Sequence, residues 1–356
     1  MRHQTSLTFF GILGITLALT GCNRGDKGGT SSGLDLGNGY TLIATKTDDS
    51  KQEVCQAHAE DLLNTRPKVG CLVGLWEYNP PALLRAVKGA GKQVPVVAFD
   101  ENDQTLAGIA DGSVTGTIVQ DPYQFGYQSI KVLAALVKGK DDVLKTWPGI
   151  EEGNSIFVPH RVITKENVED FKAEVKKILA EKPAAGGDQT GKPKVAFVSN
   201  NAYQFWTFAE RGAEKAAAEF GVQLVFKKPA DGSAKVQREI IQDLINSGYQ
   251  GIAVSPSDSK NALSFFKDEV APKVALVMTD NDLTETGARK CYIGTHNYRA
   301  GRAAGDLVKK ALPKGGEVAI FVGQMDASNA IERRQGVLDV LAGKERKVMG
   351  EVTPNK

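Results

Sequence analysis

The chain has 356 residues and sets 44 Lys+Arg against 42 Asp+Glu, for a formal net charge of +2. That balance argues against nucleic acid or a polyanion as partner. With 41% apolar and 24% charged residues, a disordered chain and a membrane-embedded one are both excluded. Four Cys exclude a disulfide scaffold, and the scattered His3, His58, His160 and His296 offer no metal cluster. A length of this order points to two domains, and 38 Gly imply many turns between short elements.

In chain order, residues 7–20 (LTFFGILGITLALT) form an uncharged apolar run behind Arg2. The run is too short to span a bilayer but suits the core of an export signal. It ends in Leu19-Thr20-Gly21-Cys22, which resembles the lipobox of bacterial lipoproteins. The resemblance implies removal of residues 1–21 and acylation of Cys22, which would put the protein outside the cytoplasm as a membrane-anchored lipoprotein, in the periplasm or at the cell surface. Residues 22–38 (CNRGDKGGTSSGLDLGN) then read as a flexible tether. Of the remaining cysteines, Cys55 and Cys71 could form a bridge, or all three including Cys291 could stay buried thiols.

Past residue 38, strand and helix patterns alternate. Apolar β-rich runs occur at 40–46, 70–76, 94–100, 114–119, 194–199, 222–227, 251–255, 274–279 and 317–322. Amphipathic stretches at 51–64, 80–90, 203–220, 233–247 and 328–342 lie between them. Continuous apolar runs mark strands buried on both faces, and the alternation predicts doubly wound parallel sheets of the α/β class. Residues 183–193 (PAAGGDQTGKP) form a linker that divides these units into two groups.

Polar side chains follow the strands. Asn200 comes after KVAFVS, Asp280-Asn281 after VALVMT, Asp100 after VPVVAF and Gln120 after TGTIV; Trp76 and Asn79 come after GCLVGL. In open parallel sheets, ligands sit at the carboxyl ends of strands. Carboxylates, carboxamides and a guanidinium suit the hydroxyls of a polyol. Phe205, Trp206 and Trp76 offer flat faces to the C–H side of a sugar ring.

The segment KVAFVSNNAYQFWTFAERGAEKAAAEFG resembles the first strand and helix of the ribose/galactose-type periplasmic sugar-binding proteins. ASNAIERRQGV is similar to that family's Ala-x-x-Arg-x-x-Gly helix start, with Arg333 in the ligand-contacting place. VPVVAFDEN and GTIVQDPYQFGYQS resemble later parts of it and imply binding roles for Asp100 and Gln120. The segments stand in the wrong order, so the resemblance is to a circularly permuted member. It implies two lobes: 194–297 with the 123–138 helix, and 317–350 with 40–119 and 155–163. By chain segment, 39–182 falls mostly in the second of these, 194–297 in the first, and 298–356 supplies a crossover and the start of the second. The implied site is Asn200, Phe205, Trp206, Asp280 and Asn281 from one lobe, with Trp76, Asn79, Asp100, Gln120 and Arg333 from the other.

Rival signatures fail. Gly186 to Pro193 matches a P-loop until Pro193 replaces its Ser/Thr, and it precedes a strand. No Gly-x-Ser-x-Gly or His-Glu-x-x-His occurs. His296 reads as a hinge or surface residue. The expected function is therefore binding without catalysis, cofactor or metal. A monomeric lipid-anchored protein would capture a monosaccharide, pentose or hexose, and deliver it to the permease of an ABC importer. The alternatives are a sensor presenting a sugar or signalling furanoside to a membrane receptor, and a glycosidase using Asp100 and Asp280.

Overall fold

The computed structural model describes residues 33–151, 153–180, 189–230, 232–325 and 327–345. The apolar run, Cys22 and most of the 183–193 linker lie outside them. From Gly33 onward the chain is one compact unit. Its order is β1 (Leu34–Gly37), β2 (Tyr40–Thr47), α1 (Gln52–Thr65), β3 (Val69–Gly74), α2 (Asn79–Gly89), β4 (Val96–Phe99), α3 (Asp103–Asp111), β5 (Val114–Val119) and α4 (Pro122–Leu136). Short strands β6 (Ile150–Glu151), β7 (Ser155–Phe157) and β8 (Arg161–Ile163) precede α5 (Val168–Ala180). Then come β9 (Lys194–Val198), α6 (Phe205–Phe220), β10 (Gln223–Lys227), α7 (Ala234–Asn246), β11 (Gly251–Val254), β12 (Ala275–Thr279) and β13 (Cys291–Gly294). The last elements are α8 (Asn297–Ala311), β14 (Gly316–Val322) and α9 (Ser328–Leu341).

Two sheets form, ordered β1-β2-β14-β3-β4-β5-β8 and β10-β9-β11-β12-β13-β7-β6. Edge strands β1, β8 and β6 pair antiparallel, and every other pairing is parallel. Counted from its second strand, each sheet runs second-first-third-fourth-fifth. In the second sheet β9 is that first strand; in the first sheet the place belongs to β14, which comes last in the chain. Segments 317–322 and 40–46 are thus direct neighbours, with Val318 opposite Leu42. Near them, the Asn38 amide donates to Leu341 O at the end of α9 (3.3 Å).

Each sheet is covered on both faces, as its unbroken apolar strands require. Leu72, Val96 and Phe321 pack beneath α1, α2 and α3, while Val73, Val97 and Ile320 face α8 and α9. In the second sheet Val195, Phe197 and Val277 face α4 and α6, while Ile252, Leu276 and Met278 face α7. Glycine sets the helix contacts. A Cβ on Gly126 would lie 1.8 Å from Ala209 O, and one on Gly212 1.9 Å from Tyr123 O, so α4 and α6 cross backbone to backbone. Gly301 and Gly336 do the same for α8 and α9, at 2.1 Å from Arg333 O and 2.4 Å from Tyr298 O.

Two expectations are corrected and one left open is decided. The last tether residues are folded: Leu34–Gly37 is β1, closed onto β2 by Asn38 (φ 52°) and Gly39 (φ 80°), an Asn-Gly type I′ hairpin. Segment 155–163 does not belong to one lobe, because β7 pairs β13 in the second sheet and β8 pairs β5 in the first. Of the two readings left open for the cysteines, buried thiols is the one found: Cys55 and Cys71 lie on opposite faces of the first sheet, and burial pushes each up to about 12.

The crossings predict a contrast between two glycines. Gly126→Ala should cost about 1–3 kcal/mol by overpacking, since Ala209 O is rigid backbone. Gly89→Ala, with nothing within 4 Å of the new methyl, should be neutral or stabilising by less than about 1 kcal/mol. Urea unfolding of both variants checks this; equal losses would refute the close crossing.

Candidate functional site

The carboxyl ends of the two sheets bear matching carboxylates. Asp100 follows β4 and Asp280 follows β12, with φ of 62° and 61°. A side chain at positive φ is strained by about 1–3 kcal/mol and persists where its surroundings hold it. Here the neighbouring strand does the holding. Asp100 N–H donates to Ile118 O, and Thr117 Oγ1 donates to Asp100 O (2.8 Å). Likewise Asp280 N–H donates to Ile293 O, and the Tyr292 hydroxyl donates to Asp280 O (2.8 Å). Each carboxylate also accepts one side-chain bond within its own sheet: Gln120 Nε2 to Asp100 at 2.9 Å, and Ser255 Oγ to Asp280 at 3.0 Å.

Arg333 joins the two. It sits in the second turn of α9, 2% exposed. Its Nε donates to Asn297 Oδ1 (3.0 Å), one terminal nitrogen donates to Leu75 O (2.9 Å), and the guanidinium lies 4.7 Å from the centre of the Phe99 ring. Burial raises both Asp100 and Asp280, the latter to about 6, while the Arg333 charge pulls each back down. Burial also raises Glu332 to about 7, against Arg333 and the Tyr298 N–H. Beside Asp100, Glu101 is pushed well above the carboxylate range by burial and by that neighbour. Arg334 turns elsewhere, its Nε donating to Thr45 Oγ1 at 2.9 Å.

The remaining expected site residues divide. Asn281 is half-buried on the loop after Asp280. Asn200 is tied in by its own lobe: its Oδ1 accepts from Trp206 Nε1 (3.0 Å) and from Asn201 (2.8 Å). Trp206 is a core residue, while Phe205 is half-buried at the start of α6. Trp206 is 2% exposed, with Phe197 and Phe205 ring centres at 5.8 and 5.1 Å, and Phe205 packs on Phe125. Asn79 is structural too: fully buried, it accepts from Trp76 N–H and donates to Asp48 and Cys55. His296 precedes α8 at a crossing between the sheets, its ring 4.7 Å from Phe157.

Sequence reasoning passed over Ser255, Thr295 and Asn297; the strand-end rule that selected Asp280 reaches Ser255, whereas Thr295 follows β13, a four-residue strand not read from the sequence. Several strand-end polar atoms are buried with no hydrogen-bond partner among the described residues: Trp76 Nε1, Glu101 Oε2, Thr279 Oγ1 and Thr295 Oγ1, with Asn329 Oδ1 at the start of α9. A shallow hollow of about 540 Å³ bounded by Tyr249, Pro272 and Lys290 lies at the opposite, amino ends of the second sheet. No group of ligating side chains among the described residues could hold a metal.

The Asp280 shift carries a sign. Its folded value, about 6, exceeds the ~3.9 of an unfolded chain. Its contribution to stability is therefore complete below pH ~4 and is lost as the pH rises through about 6. Asp280→Asn cannot ionise, and Asn tolerates positive φ. Without ligand, this variant should melt a few degrees above wild type at pH 7.5 and no higher at pH 4. Thermal melts at both values decide; a lower melting point at pH 7.5 would refute the reading.

Comparison with known proteins follows this geometry. The family described as periplasmic binding protein domain matches residues 26–141 and 195–355. The D-allose-binding periplasmic protein of Escherichia coli K12 is 28% identical over 143 residues, 38% of this chain and 46% of that one. The D-ribose/D-allose-binding protein of Pseudomonas aeruginosa is 28% identical over 169 residues, 44% and 52% of the two chains. A solved ABC transporter solute-binding protein from Burkholderia graminis, in complex with D-arabinose, shares 33% identity and a TM-score of 0.40 over 44% of this chain and 54% of its own. The chain thus spans about half the length of the curated relatives it matches. With a match over most of its length and two parallel-sheet lobes, the chain belongs to the periplasmic binding protein domain family.

Proposed function

We propose that this protein binds a monosaccharide, pentose or hexose, between its two sheets outside the cytoplasm and delivers it to an ABC importer. One observation carries the reading: the strand ends of the two sheets bear matching left-handed carboxylates, Asp100 and Asp280, and the buried guanidinium of Arg333 is held at the end of β3 by Leu75 O and Asn297 Oδ1. Carboxylates and a guanidinium held at strand ends are acceptors and donors for vicinal hydroxyls. The proposed chemistry is capture, in keeping with the family the chain belongs to. Ligand contacts to both sheets would favour a closed form over an open one. The sugars named for the relatives, D-allose and D-ribose, supply the first ligands to try.

We also propose that the segments are circularly permuted. The position of β14 as first strand of its sheet supports this, as do the contact between Asn38 and the end of α9 and the two separate stretches matched by the family. For export and anchoring the support is the Leu19-Thr20-Gly21-Cys22 sequence. No helix among the described residues is long and apolar enough to cross a membrane.

A thermal-shift screen over monosaccharides tests the function, since a ligand at 100 times its Kd adds about 2.7 kcal/mol of stability. With the best sugar, Arg333→Lys should weaken binding at least tenfold, because an ammonium cannot keep the Asn297 and Leu75 bonds while serving a ligand. Arg334→Ala should change it less than threefold. Calorimetry on both variants decides, and equal losses would sink the assignment.

A further inference from the structure

The two left-handed carboxylates are held by one device built from different residues. Ala98 pairs with Thr117 across β4 and β5, and Met278 pairs with Tyr292 across β12 and β13. Thr117 and Tyr292 thus each stand opposite the residue two before the Asp. Both are buried, and each donates its hydroxyl to that Asp's carbonyl oxygen at 2.8 Å. A threonine hydroxyl is close to its own backbone and reaches the carbonyl directly. A tyrosine oxygen stands far from its Cα, so the ring has to lie along the strand to deliver the same bond. It does so over Gly294, two residues on and on the same face, where a Cβ would lie 2.1 Å from Tyr292 Oη and 2.4 Å from Cζ. Phe157 meets the tyrosine ring edge-on, with centres 6.1 Å apart. In the first sheet the position matching Gly294 is Val119, because threonine needs no such room. Thr117-Ile118-Val119 and Tyr292-Ile293-Gly294 are two solutions to one problem.

We propose that Thr117 and Tyr292 are positioning residues for Asp100 and Asp280, and that Gly294 is the space that lets tyrosine take threonine's part. The consequence for affinity rests on the sugar-binding reading; the fixing of Asp280 does not. A left-handed Asp stores strain that its surroundings must offset. The N–H of each Asp is bound by the main chain of the neighbouring strand, a bond that any residue there would provide. The bond to the carbonyl depends on a side chain, and without that side chain a buried acceptor is left unmet. The Asp can then turn toward a less strained conformation, and its carboxylate moves with it. Gln120 and Ser255 bond only one carboxylate oxygen each and leave the backbone free to turn. A ligand then meets carboxylates whose positions vary, and its affinity falls although no group that touches it has changed.

Two measurements test this. The first is calorimetry with D-ribose and D-allose, carrying the tighter binder forward. Thr117→Val, Tyr292→Phe and Gly294→Ala should each weaken binding at least fivefold, and Thr117→Ser, which keeps the oxygen, should recover most of the loss seen with valine. The second needs no ligand: the Asp280 carboxyl is titrated by NMR on the full chain with labelled aspartate, its signal assigned by its absence in Asp280→Asn. Arg333 and Asp100, the charges that act on Asp280, are untouched by the variants. In Tyr292→Phe and Gly294→Ala the midpoint should nevertheless fall from about 6 toward the ~3.9 of a free carboxyl, because a released side chain regains water. Should Gly294→Ala fail to fold, Tyr292→Phe decides alone. Equal losses for valine and serine at Thr117, losses below fivefold in Thr117→Val and Tyr292→Phe, or an unmoved midpoint in Tyr292→Phe overturn the positioning role. If wild type binds neither sugar while the midpoint moves, the sugar-binding reading falls and the fixing of Asp280 by Tyr292 stands.

Discussion

A guanidinium enclosed by protein is the constraint around which the rest is arranged. Arg333 cannot lose its proton in a protein, so its burial demands acceptors and negative charge nearby. Leu75 O and Asn297 Oδ1 supply two hydrogen bonds, Phe99 supplies a ring face, and Asp100 and Asp280 supply the charge. Four elements from different parts of the chain converge on one side chain. Burial still raises both carboxyls, and it raises Glu101 and Glu332 as well, so the acidic groups around the guanidinium are all pushed toward their protonated forms.

The placement of these groups follows from a plan used twice. Each sheet has the same strand order, each ends its fourth strand in a left-handed Asp, and each carries a glycine-to-glycine helix crossing. The crossings link the two halves of the plan, because α4 follows a strand of the first sheet but packs on the second. Similarly α8 follows β13 yet packs with α9 on the first sheet. Asp121-Pro122-Tyr123-Gln124-Phe125-Gly126 and His296-Asn297-Tyr298-Arg299-Ala300-Gly301 are therefore equivalent segments, each placing a Tyr carbonyl against the other helix's glycine.

The long parallel strands were legible because their apolar runs cannot be anything else at that length. The short ones were not. β6, β7 and β8 hold two or three residues each, too few to show a period, and their pairing is decided by which sheet edge is open. At β1, Asn38-Gly39 was a usable hairpin signal masked by the Gly- and Ser-rich residues before it. In the site, Asp100, Gln120 and Asp280 could be read because a strand end fixes where the next residue stands. The burial of Trp206 and Asn79 could not, since each lies on a helix or turn whose inward face depends on partners far away in sequence. Trp206 turned inward because Phe197 and Asn200 accommodate its ring and N–H. Asn79 did so because Asp48, across the sheet end, needed a donor.

Crossing points and the proposed ligand groups share residues, so the proposed binding would be tied to movement of the two sheets. Chain passes between the sheets after Gln120, between Phe157 and Arg161, and after Thr295. Gln120 holds the Asp100 carboxylate at 2.9 Å and then enters the first crossing; Thr295 occupies the equivalent place after β13. Further out, Arg299 of α8 grips Glu151 of β6 through two bonds of 3.0 and 3.1 Å, bridging the sheets. That pair is about one-third exposed on each side and is worth little by itself. The charge of Arg333 also acts across the sheets, on Asp280 as well as on Asp100. On the proposed reading, a ligand that gives Asp100 and Asp280 new donors would favour the form in which both sheets enclose it, and one that reaches a single carboxylate would do so less. Selection between ligands would then be selection between open and closed forms, through the same few atoms.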